Sequence, residues 1–142
     1  MVELMTVVLV IAVLLAIAMP MFLGAETRAS DRAAQANVHH ALIAENMVFT
    51  DNEQFSTSNT TLRTAEPRLI YVSTVPAKDS AEVYVETDGA NATVVLGAQS
   101  RSGKCFWARN KSKGNLQWNT RTDCLTPPAF DDADFTLDNP PS

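Results

Sequence analysis

Few side chains in this chain are spaced for chemistry. Cys105 and Cys124 are the only thiols, with 18 residues between them. In an exported protein such an even pair reads as one disulfide, and the competing reading is two reduced thiols in a core. His39 and His40 are adjacent, so on a helix they cannot face one partner, and they lie too far from the cysteines to make a metal-ligand spacing. The tail AFDDADFTLDNPPS carries Asp131, Asp132, Asp134 and Asp138 without an EF-hand pattern, so a solvated acidic strand edge competes with a cation site there. Asn59, Asn91 and Asn110 each open an Asn-X-Ser/Thr sequon, and Ser56, Thr57, Ser58, Thr60 and Thr61 offer hydroxyls for O-linked sugars. No Ser, His and acid arrangement and no glycine-rich phosphate loop stands out. The expectation is a protein that is not an enzyme and needs no cofactor.

The strongest signal is a single carboxylate placed before an apolar run. Residues 4–23 read LMTVVLVIAVLLAIAMPMFL, 20 residues with Thr6 as the only polar side chain, and Glu3 precedes them. As a helix this run spans roughly 30 Å, the thickness of a bilayer's hydrocarbon core. A cleavable secretory signal would carry a basic leader and a shorter apolar stretch, yet Arg28 is the first cation. A plain anchor fits the length but leaves Glu3 unexplained, because a carboxylate at the mouth of such a helix is costly in lipid without a partner. A buried core helix would need more chain to cover it. A second cation, such as the N-terminal amine of a neighbouring identical subunit, would neutralise Glu3, and a buried pair of that kind serves specificity more reliably than stability. Pro20 lacks an amide hydrogen and clashes with the carbonyl four residues back, so a kink or local melt is expected before it, although packed neighbours allow the helix to continue.

With these residues in view, VELMTVVLVIAVLLAIAMPMF resembles the N-terminal signature of type IV pilins and the related pseudopilins. That family is cleaved after a glycine, just before a residue that becomes N-methylated, and carries a glutamate at the fifth mature position and a proline near the far end of its apolar helix. Glu3 and Pro20 match the two in mutual spacing. Glu3 is third rather than fifth, which implies that two residues and a leader are absent from the front of this sequence. The resemblance covers about the first sixth of the chain. It implies assembly and register roles for Glu3 and Pro20. Cys105–Cys124 would be the counterpart of the C-terminal disulfide loop many pilins have, worth about 3 kcal/mol on a chain-entropy account. Some pseudopilins bind calcium near their C-terminus, which makes Asp131, Asp132 and Asp134 the residues to inspect for a metal, although ligand spacing alone suggests none.

The elements that must position these residues follow from the patterning. Residues 24–49 read GAETRASDRAAQANVHHALIAENMVF, with Ala34, Val38, Ala41, Leu42, Val48 and Phe49 on one stripe and Glu45 as its exception. Glu26, Arg28, Asp31 and Arg32 mark the exit from the apolar stretch. One helix over residues 2–48 is expected, with 1–24 as the membrane or filament-core half and 25–49 as the amphipathic half. Residues 50–68 are polar and turn-prone, which predicts a surface loop. Strands are expected at 69–74, 81–87, 92–100, 104–110 and 116–120, with Val83 and Val85 on one face of the second and residues 88–91 as a hairpin. The fold class is therefore α+β: a long hydrophobic helical spine packed on a small antiparallel head over 69–142, with the disulfide loop 105–124 and an acidic tail.

The chain has 142 residues and a formal net charge of −5, with an isoelectric point near 4.9. Nucleic acid is an improbable direct ligand for such a chain. The resemblance implies a subunit of a cell-surface filament for adhesion, motility or DNA uptake, or alternatively a pseudopilin of a type II secretion or competence system. It also implies identical copies as partners, an inner-membrane assembly platform, a prepilin peptidase, and residence in the inner membrane before assembly.

Overall fold

A computed structural model describes residues 2–76, 78 and 81–137, and only the backbone of Pro20 and Met21. Helix α1 runs Val2–Asn52 over 51 residues. It is helical through position 20, so the local melt expected there is not present in the single chain. What the Pro20 ring packs against lies outside the described residues. The helix continues four residues past the expected end and stops where Glu53 takes φ 58°. The Glu53 amide then donates to the Phe49 carbonyl at 2.8 Å, a left-handed cap.

Residues 59–65, expected within a surface loop, form a second helix, α2 (Asn59–Ala65). Ser58 caps it, its Oγ accepting from the Thr61 amide at 3.4 Å. Leu62 is the side chain this helix buries, fully. The strands are β1 (Ile70–Val72), β2 (Glu82–Thr87), β3 (Thr93–Gln99), β4 (Cys105–Lys111) and β5 (Gln117–Arg121), in the spatial order β1-β2-β3-β4-β5. The last four form the expected antiparallel meander. β1 corrects the expectation, because it runs parallel to β2, with Tyr71 opposite Val83. A parallel neighbour requires a crossover connection rather than a hairpin, and that connection joins Val72 to Glu82. The β2–β3 turn is the one expected: the Asp88 carboxylate accepts from the amides of Ala92 at 2.7 Å and Thr93 at 3.2 Å. Burial raises the Asp88 pKa, but these amide hydrogen bonds outweigh it and hold the group below the usual aspartate value.

Both faces of the sheet are covered. On one, Val83, Val85, Val94, Leu96, Phe106, Ala108 and Trp118 meet the α1 stripe of Ala34, Val38, Ala41, Leu42, Ala44 and Val48. On the other, Tyr84, Val95, Cys105 and Trp107 are covered by the chain's own tail through Phe135 and Cys124. The alternation predicted for Val83, Tyr84 and Val85 sets this division. Trp107 lies flat over Gly97, its partner across β3 and β4, and a Cβ there would sit 2.3 Å from the ring. Only a glycine leaves room for the indole. Arg109 fastens the tail: Nη1 donates to the carbonyls of Phe130 at 2.7 Å and Asp132 at 3.1 Å, and the guanidinium lies 4.3 Å from the centroid of Phe135.

Candidate functional site

Burial on α1 begins at Ser30 and recurs at Ala34, Val38, Ala41 and Leu42, the spacing of one helix face. Before Ser30 the helix leaves the head. Every large apolar residue described from Val2 to Leu23 is at least 50% exposed, and Phe22 is 71% exposed. This helix is long and apolar enough to cross a membrane, and none of its most apolar stretch is buried inside the molecule. Burying each such side chain is worth about 1.5–3 kcal/mol, so a row of them does not stay in water. Glu3 lies in the first turn, where the helix dipole favours a carboxylate. Glu3 therefore opens one continuous helix that runs through position 20, and the large apolar side chains described up to Leu23 are exposed along it.

The angle at which this half-helix leaves the head is set by a polar clamp. Asp31 accepts from Ser100 Oγ at 2.6 Å, Ser102 Oγ at 2.5 Å and Lys104 Nζ at 3.1 Å. Arg101 Nη1 donates to Glu26 Oε1 at 2.5 Å, and its amide donates to Ser30 Oγ at 2.9 Å. Burial raises the Asp31 pKa, but these three donors and the Lys104 charge outweigh it and hold the group below the ordinary aspartate value. Glu26 and Asp31 are conspicuous in the sequence. Their partners on the β3–β4 turn are not, because they are about 70 residues away and have ordinary turn composition.

A second buried feature was visible in the sequence only as an interruption of a stripe. Glu45 is 0% exposed. Its Oε2 accepts from the Ser56 amide at 3.1 Å, while Oε1 has no hydrogen-bond partner among the described residues. Burial pushes its pKa up to about 7, against the opposing pull of the Ser56 amide. The Tyr71 hydroxyl is likewise buried without a partner among the described residues, and its pKa is raised by burial first and then by the charges of Glu45 and Glu66. His40 approaches Glu66 at 3.9 Å, whereas His39 is exposed and makes no such approach.

The remaining sequence candidates fall into separate places. Cys105 and Cys124 form a disulfide with Cα atoms 5.6 Å apart, joining the start of β4 to the chain beyond β5. Asp132 and Asp134 both engage Arg121, the latter at 3.3 Å. The Asp132 pKa is lowered first by the Asp134 amide and then by the Arg121 charge. Two of the three carboxylates offered for calcium, Asp132 and Asp134, thus meet a guanidinium, and Asp138 lies outside the described residues. Among the described residues no group of three or more His, Cys, Asp or Glu is placed to hold a metal. The three sequon amides are engaged: Asn59 Oδ1 accepts from the Tyr71 amide, Asn91 Oδ1 from Thr87 Oγ1, and Asn110 Nδ2 donates to Asn46 Oδ1. Thr57, Thr60 and Thr61 are exposed, Ser56 is half-buried, and Ser58 serves as the α2 cap.

No protein-family model matches this chain, and no curated protein matches it.

Proposed function

We propose that this chain is a structural subunit of a type IV pilus. It polymerises through its N-terminal helix into a cell-surface filament that serves adhesion, motility or DNA uptake. The observation that carries the reading is the apolar half of α1, extended from the head with no partner in its own chain and opened by Glu3. In the inner membrane, lipid covers that surface; in the filament, the same surface meets identical helices. Glu3 then pairs with a neighbour's N-terminal amine and fixes the axial step. Pro20 supplies a position where the helix loosens as copies pack. An assembly platform and a prepilin peptidase are the partners this route requires. The head contributes no catalysis: its buried polar groups hold loops and tail in place.

Cryo-electron microscopy of material sheared from cells expressing the gene tests this reading. The expected result is a helical filament whose density fits this chain, with Glu3 beside a neighbour's N-terminus. Glu3→Gln should reduce surface filaments at least tenfold while leaving the amount of membrane-bound chain unchanged. Abundant membrane-bound chain without filaments would shift the assignment to a pseudopilin of a secretion or competence system, which shares the helix but not the long fibre.

A further inference from the structure

The head leaves a recess of about 250 Å³ beside the point where α1 emerges from its apolar stretch. Arg28, Arg32 and Lys104 line it against the single carboxylate of Asp31, with Phe106 and Thr120 from the sheet behind them. This excess of cations stands out in a chain whose net charge is −5.

Its depth is set by the helix. The apolar run ends at Leu23, and the Arg28 guanidinium folds back along the helix, Nε donating to the Gly24 carbonyl at 3.1 Å. That places the charge within one turn of the hydrocarbon edge, inside the roughly 5–8 Å of headgroup on each side of a bilayer core. Side chains on a helix lean toward its N-terminus, so Arg32 is also aimed toward the membrane. Among the described residues Arg32 has no hydrogen-bond or ion-pair partner. The Thr120 hydroxyl at the same recess is buried and also lacks a partner. Lys104 is held in place by Asp31 at 3.1 Å.

Two guanidinium forks, an ammonium and an unused hydroxyl match the tetrahedral oxygens of a phosphate, which arginine can grip in two-pronged fashion. We infer that this recess binds the phosphate of an anionic phospholipid in the leaflet on the head side of the membrane. The inference rests on the membrane-resident stage of the function proposed above. A lipid phosphate is favoured over a free one because the recess sits at headgroup depth beside an anchored helix. Lipid is concentrated there and pays no separate cost of capture from solution.

The test uses the full chain in nanodiscs containing equal amounts of phosphatidylglycerol and phosphatidylcholine. Native mass spectrometry reads which lipids stay bound on release. Phosphatidylglycerol should be retained at least about tenfold over phosphatidylcholine, since each basic residue near a membrane surface adds to the attraction for an anionic headgroup. The double variant R28Q/R32Q should abolish the preference and Thr120→Val should weaken it, whereas Lys113→Gln, on the β4–β5 turn at the other end of the sheet, should leave it intact. Unchanged circular dichroism of each variant establishes that the fold is kept. No preference in the parent chain, or a preference that survives R28Q/R32Q, overturns the inference. So does inorganic phosphate that binds the chain directly and strips the lipid, which would make the recess a free-anion site. A chain that fails to insert into the nanodisc overturns the membrane reading itself, and insertion is scored separately by co-purification with the disc.

Discussion

At the scale of single residues, Glu45 carries the clearest consequence. Among the described residues it is the only ionisable member of the buried α1 stripe, and its folded pKa of about 7 stands above an ordinary value of 4.5. The folded chain therefore holds this proton more tightly than the unfolded chain. The stability linked to it is fully present below pH 4.5 and is lost as pH rises through about 7. The difference bounds the loss at roughly 3 kcal/mol. Glu45→Gln keeps an acceptor for the Ser56 amide but cannot ionise. In urea unfolding of the detergent-solubilised chain, the variant should match the parent near pH 4.5 and exceed it at pH 8. Equal stability at both pH values would mean that the carboxylate finds a partner or water on ionising. The sequence marks Glu45 as a break in an apolar pattern. Its complete burial depends on Ser56, Tyr71 and the α1–α2 connection closing over it, and no local spacing encodes that closure.

At the scale of elements, the disulfide ties the start of β4 to the chain leaving β5, across the hairpin that carries Trp118. Reduction, or the Cys105→Ser and Cys124→Ser pair, should lower unfolding free energy by about 3 kcal/mol. A urea midpoint unchanged by reductant would show that the tail anchors at Arg109 suffice alone. The strands were legible because β-branched and aromatic residues alternate between turn signals, as in β2. Two elements were not. NTTLRTA has poor helix formers and one large apolar side chain, so α2 exists by virtue of the Ser58 cap and the burial of Leu62 rather than by propensity. β1 runs parallel to β2, and alternation of side chains says nothing about direction.

At the scale of the whole molecule, the two halves of one helix differ in their surroundings, one apolar and exposed, the other packed on the sheet. The division was readable because composition changes from uniformly apolar to amphipathic near Gly24, and burial begins at Ser30. The recess of Arg28, Arg32 and Lys104 was only half readable. The two arginines are plain in the sequence, but Lys104 and Thr120 arrive through strand pairing. The pairing of Trp118 with Thr136 has a different kind of consequence. Each amide donates to the other's carbonyl, at 2.8 and 2.9 Å, so the tail occupies part of the outer ladder of β5. The opposite border, β1, has only three residues. Neither margin offers a long free template on which a second sheet could grow, a protection that crowded β-proteins need. Ending the chain after residue 129 removes that guard and the covering of Trp107 together. The shortened protein should convert to thioflavin-binding ribbons with the roughly 4.7–4.8 Å spacing of stacked strands, whether or not Glu3 is present. Soluble, thioflavin-negative material would show that the shortness of the strands already suffices. Residues 130–137 would thus act as a built-in safeguard against amyloid.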